Sequence, residues 1–142
     1  MAEDPAAERF LSEVERFALR MVPEPLRHVD RGSAPGRREL RYADAPDVRI
    51  VVEIHAGKVS TGIRLEGDVG EKVFGNLKGS RELLEQTLGK GLEFKGKKGE
   101  RWIGETIPLA AIDRRTAERV AQRVATYILY FKPMMDDLGS RA

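Results

Sequence analysis

The sequence predicts an α+β domain on an antiparallel sheet of about five strands, in the order α-β-β-β-α-β-β-α. Three observations carry this. Apolar residues recur at helical spacing near both ends of the chain. Strict alternation over residues 48–65 is interrupted only by the turn residues Ala56, Gly57 and Lys58. A second alternating pair follows a helical stretch after residue 68. At 142 residues, 41% hydrophobic and 34% charged, the chain is long enough to bury its own core as a single domain, 1–142.

Taken in order, the first helix spans 5–21. Asp4 is a good N-cap, Pro5 suits the first helical position, and Phe10, Leu11, Val14, Phe17, Ala18 and Met21 form an apolar stripe. Pro23 and Pro25 end it. Residues 26–37 read as an exposed loop, because Gly32, Ser33, Pro35 and Gly36 punctuate them. A weak strand over 38–42 precedes a strong hairpin. Its first strand places Val48, Ile50, Val52 and Ile54 on one face, and its second places Val59, Thr61, Ile63 and Leu65 there. Residues 68–89 read as two helical pieces broken near Gly79, with Ser80 as the cap of the second. A second hairpin follows over 92–95 and 101–109, with Gly96, Lys97, Lys98 and Gly99 at its tip. The last helix begins after Asp113 and buries Ala117, Val120, Ala121, Val124, Ile128 and Phe131. Pro133 bends or ends it, and residues 139–142 fray.

Composition narrows the chemistry. Cysteine is absent, which excludes disulfides and thiolate nucleophiles and fits a reducing, cytoplasmic setting. The acidic first residues lack the apolar core of a secretory signal, and no apolar run approaches the length of a membrane span. The net charge of +2 argues against a whole-surface nucleic-acid binder. Positive charge is local instead: residues 20–41 hold six arginines against three acids, and residues 72–101 hold eight basic residues against four acids.

Cofactor and metal motifs are missing. His28 and His55 have no partner at ligand spacing, Gly89-Lys90-Gly91 lacks the rest of a phosphate loop, and no Gly-x-Ser-x-Gly occurs. Gly89 or Gly91 reads as a helix C-cap. Pro46-Asp47 with Glu93-Phe94-Lys95 matches the acid and lysine types of a magnesium-dependent nuclease, but the gap between them is long. Two basic groups are candidates for phosphate contact. Lys95, Lys97, Lys98 and Arg101 crowd the second hairpin, and Arg115, Arg119 and Arg123 recur every four residues on the last helix. Arg114 and Arg115 also sit in a first helical turn, where the helix dipole disfavours cations. Tyr127, Leu129 and Tyr130 lie off the main stripe of that helix and are candidates for meeting a second subunit or a protein partner.

The second half resembles a known family. The stretches Phe74-Gly75-Asn76-Leu77-Lys78, Arg81-Glu82-Leu83-Leu84-Glu85 and Leu88-Gly89-Lys90-Gly91-Leu92-Glu93-Phe94, with Phe131-Lys132-Pro133, look like an uncharacterised bacterial domain. That domain is found at the C-terminus of some restriction-endonuclease-like proteins. The likeness covers about residues 50–138 and departs where Phe94 replaces a usual tryptophan. It implies an accessory role in restriction or defence, or in nucleic-acid processing, and carries over no catalytic residue. The order of elements also resembles the type III secretion chaperone-like fold, whose members are commonly protein-binding dimers. The expectation is therefore a non-catalytic protein-interaction domain, a homodimer or a binder of another protein. A nucleic-acid-binding accessory domain is the alternative, and a magnesium-dependent nuclease the third reading.

Overall fold

The computed structural model describes residues 4–43, 47–89, 91–97, 100–109 and 111–140. Helix α1 (Pro5–Met21) is followed by a short 3-10 turn (Glu24–Arg27) and strands β1 (Asp30–Ala34), β2 (Arg37–Arg41), β3 (Val48–His55) and β4 (Lys58–Leu65). Helices α2 (Gly67–Gly79) and α3 (Arg81–Leu88), strands β5 (Glu93–Lys97) and β6 (Glu100–Pro108), and the long helix α4 (Arg114–Ser140) complete the chain. Every strand pairing is antiparallel, in the order β1-β2-β3-β4-β6-β5.

The mixed α+β class and the antiparallel sheet stand, but the sheet has six strands, and four of them precede α2. The extra strand lies in the segment expected to be a loop. β1 (Asp-Arg-Gly-Ser-Ala) is exposed at all five positions, so it carries no hydrophobic alternation to betray it. As an edge strand it needs only backbone pairing to β2, and its polar side chains keep the open edge from inviting another chain. Pro35 and Gly36, read as loop punctuation, form the tight turn between β1 and β2.

The alternation of β3 and β4 makes the sheet two-faced. Their register sets Ile50 opposite Ile63, Val48 opposite Leu65 and Val52 opposite Thr61. Leu40, Ile103 and the apolar members of these pairs belong to one core with the inner faces of α1 and α4 and with Val73, Phe74 and Leu77 of α2. All four helices therefore stand on one face of the sheet. α2 packs over β4 and β6, and its Phe74 ring reaches Phe94 of β5, 6.4 Å away.

Local signals explain the helix ends. The Asp4 carboxylate accepts hydrogen bonds from the backbone N–H of Ala6 and Ala7, and Asp113 accepts one from Thr116 N–H at 2.8 Å. That bond holds the Asp113 carboxyl below its usual pKa. Ser80 separates α2 from α3 as expected, yet its side chain makes no capping bond. Gly89, at φ 107°, ends α3 in a conformation that only glycine adopts readily. Met21, expected on the α1 stripe, is 41% exposed, and Leu19 is buried instead. Pro133 does not end α4, which continues to Ser140, so Gly139 and Ser140 belong to the helix. Residues 141–142 of the expected frayed tail lie outside the described residues. Glu8 ties α1 to the β1–β2 turn: its carboxylate accepts from Gly36 N–H at 2.8 Å and from Arg38 Nη1 at 2.9 Å, which lowers its pKa.

At the centre of the sheet two glycines face each other, Gly62 on β4 and Gly104 on β6. A Cβ at Gly62 would stand 2.3 Å from the Ile103 carbonyl oxygen, and one at Gly104 would stand 2.5 Å from the Trp102 ring and 2.6 Å from the Thr61 carbonyl oxygen. These two strands need glycine for space. Gly104→Ala is expected to lower stability by about 1–3 kcal/mol, as overpacking does. Gly75→Ala, at an exposed α2 position with nothing within 4 Å of the new methyl, is expected to raise it by about 0.5–1 kcal/mol. Urea unfolding midpoints of the two variants test this opposition of sign.

Candidate functional site

Among the described residues no helix covers the other face of the sheet, and this face is not a plain solvated surface. Reading the registers across the strands gives three rows. The first runs Arg37, Glu53, Ser60, Thr106. The second runs Glu39, Val51, Gly62, Gly104, Glu93. The third runs Arg41, Arg49, Arg64, Trp102, Lys95, and none of these five is an acid. Because Gly62 and Gly104 carry no side chain, the middle row is a trough. Val51 floors it on β3 and is only 3% exposed despite facing away from the helices. Trp102 folds along its own strand over Gly104, which fixes its ring as part of the wall. The resulting hollow measures about 360 Å³, with the Ser60 and Thr106 hydroxyls 3.3 Å apart at its other side.

Charges on this face are organised as a chain of ion pairs. Glu53 approaches Arg37 at 3.9 Å, Arg37 pairs with Glu39 at 2.6 Å, and Glu39 reaches Arg49 at 3.2 Å. Arg49 continues to Glu66 at 3.6 Å, and Glu66 meets Arg64 at 3.4 Å. Lys95 pairs with Glu93 at 3.3 Å. The arginines of this chain are about 70% buried: Arg37 and Arg49 are each held between two carboxylates, and Arg64 is held by Glu66, so these guanidinium groups do not wave in solvent.

The structure divides the basic residues singled out in the sequence. Lys95 lies on the open face. Arg101 is turned the other way, 3.0 Å from Glu71 of α2 and 5.9 Å above the Phe74 ring. The side chain of Lys97 and the whole of Lys98 lie outside the described residues. Arg115 and Arg119 are exposed on α4, on the opposite side of the sheet from Lys95. Arg123 is committed to holding the fold. It pairs with Glu105 at 2.6 Å, donates to the Leu88 carbonyl at the end of α3, and packs 5.9 Å from the Tyr127 ring. Burial opposes its charge, but Glu105 more than offsets this and raises its pKa.

The partner-contact candidates on α4 also separate. Tyr127 is fully buried and stacks on Phe131 at 6.1 Å, so it is a core residue and cannot meet a partner. Burial pushes its hydroxyl well above the usual tyrosine pKa, with Glu105 adding to the effect. Tyr130 packs edge-on against Phe131, and only Leu129, at 46% exposure, stands out of the surface. Asp47, Glu93 and Lys95 do not converge. β4 and β6 intervene between β3 and β5, which at about 4.8 Å per strand keeps Asp47 more than about 14 Å from the other two. Pro46 lies outside the described residues. Among the described residues no group of three or more His, Cys, Asp or Glu could hold a metal ion, and no helix is long and apolar enough to cross a membrane.

The residues missed in the sequence are Arg37, Arg41, Arg49, Arg64 and the two facing glycines. Their signal was the polar half of the alternation, which by itself reads only as a solvated face. Comparison with protein-family models, curated proteins and solved structures finds no match for this chain.

If Arg123 is a structural tie, its loss is a loss of stability. Arg123→Ala strands the largely buried Glu105 and is expected to cost about 2–3 kcal/mol, whereas Arg119→Ala at the exposed position is expected to stay within about 0.5 kcal/mol of wild type. Chemical unfolding of the two variants distinguishes these outcomes.

Proposed function

We propose that this chain is a non-catalytic interaction domain that docks a protein partner on the open face of its sheet. The trough across β3, β4 and β6, with a glycine floor and a fixed tryptophan wall, carries this reading. The same two glycines that let β4 and β6 approach leave the centre of this face hollow, and glycine inside strands often marks the close approach of another chain or ligand. Tryptophan and arginine, which form much of this surface, are also the residue types that dominate binding energy where proteins meet. The likeness of the second half to the accessory domain of restriction-endonuclease-like proteins is in keeping with such a role.

The test is affinity capture from source-cell extract with three variants compared side by side. Trp102→Ala and Arg64→Glu are expected to lose a partner that wild type and Arg119→Glu both retain. A captured set that the two face variants leave unchanged, or that Arg119→Glu alone removes, contradicts the reading.

A further inference from the structure

We infer that the trough takes a short acidic segment of a polypeptide, extended across β3, β4 and β6, with its carboxylates on the side of Arg49, Arg64 and Lys95. This rests on the reading of the open face as a docking surface and names the chemistry of what docks there.

Charge gives the polarity of the occupant. Arg41, Arg49, Arg64 and Lys95 are contributed by four strands and fall in one row, with only Trp102 among them. Cations on neighbouring strands stand about 4.8 Å apart, so they repel one another unless anions lie alongside. Glu39 and Glu66 supply part of that compensation from within the chain. Lys95, at 69% exposure, pairs with Glu93 alone among the described residues. An incoming carboxylate would find guanidinium groups already fixed by their neighbours, so little side-chain freedom remains to be lost on binding.

Length gives the kind of occupant. Carboxylates close the trough at both ends, Glu39 on β2 and Glu93 on β5. The open stretch between them crosses three strands, about 14 Å including its margins, which is the span of about four extended residues. A nucleic-acid strand would continue past both ends and bring its phosphates against Glu39 and Glu93. It would also find one aromatic ring, where single-strand binders offer several. A small molecule would sit in a site open along one whole side, whereas such ligands bury most of their surface. A short peptide stretch meets neither objection. Its main chain passes over the glycines, one apolar side chain lies against Trp102, and polar groups on its other edge meet Ser60 and Thr106.

Trp102 is the only tryptophan, so its emission reports occupancy directly. The purified protein is titrated with a blocked peptide of four aspartates, the matching peptide of four asparagines, and a thymidine decanucleotide. The aspartate peptide is expected to give a saturable change that weakens about fivefold between about 20 and about 200 mM salt. Lys95→Ala, at an exposed position that should not disturb folding, is expected to weaken it about threefold. Arg64→Ala is expected to weaken it more, and Arg119→Ala to leave it unchanged. No response to the aspartate peptide, an equal response to the asparagine peptide, or tighter binding of the decanucleotide overturns the inference. If that happens while face-dependent capture of a partner persists, only the ligand chemistry is wrong. Failure of both removes the docking face itself.

Discussion

The register between β3 and β4 decides the rest of the molecule. Because side chains alternate along a strand, pairing Ile50 with Ile63 sends Val48, Val52, Val59 and Leu65 to the same side and sends Arg49, Glu53, Ser60 and Arg64 to the other. A slip of one residue would exchange the two sets and drive arginines into the helices. The core face can be satisfied only by apolar cover, which α1 and α4 provide by packing against each other and onto the sheet. With the helices all on that side, none of the described residues forms a layer over the arginine face.

That face is stabilised differently from the core. Its charges alternate along a chain of half-buried pairs from Glu53 to Arg64, which solvent still reaches, so each is worth only about 1 kcal/mol. What the network supplies is position. Arg37 and Arg49 are pinned by carboxylates on either side and Arg64 by Glu66, while the absence of a side chain at Gly104 makes room for the Trp102 ring. The glycine pair lets β4 and β6 approach and, in the same stroke, hollows the centre of the surface. Folding and the proposed recognition thus draw on one feature, which is why a methyl at Gly104 would disturb both.

Local elements were legible in the sequence and long-range ones were not. Asp4 and Pro5 announce α1, and the alternation of 48–65 announces the β3–β4 hairpin, because a cap or a period is complete within a few residues. β1 left no trace, since an exposed edge strand owes its existence to pairing with β2 rather than to its own side chains. Arg123 read as one of a series of phosphate contacts because its spacing from Arg115 and Arg119 is local, while its partners Glu105 and Leu88 lie on other elements. Tyr127 read as off the stripe because α4 is covered on more than one side. The candidate site was the least legible part. Its basic row is assembled from residues 41, 49, 64 and 95: the first three align through β2, β3 and β4, and Lys95 joins the row only across Trp102, once β6 has paired with both β4 and β5.

The central claim is that Trp102 stands in a cation-lined trough on an uncovered face. Collisional quenching of its fluorescence tests this most directly, using iodide and caesium at matched ionic strength. The arginine and lysine row predicts that iodide quenches clearly more than caesium, and that the difference shrinks in Lys95→Ala. Equal quenching by the two ions, or stronger quenching by caesium, would contradict the account of this face.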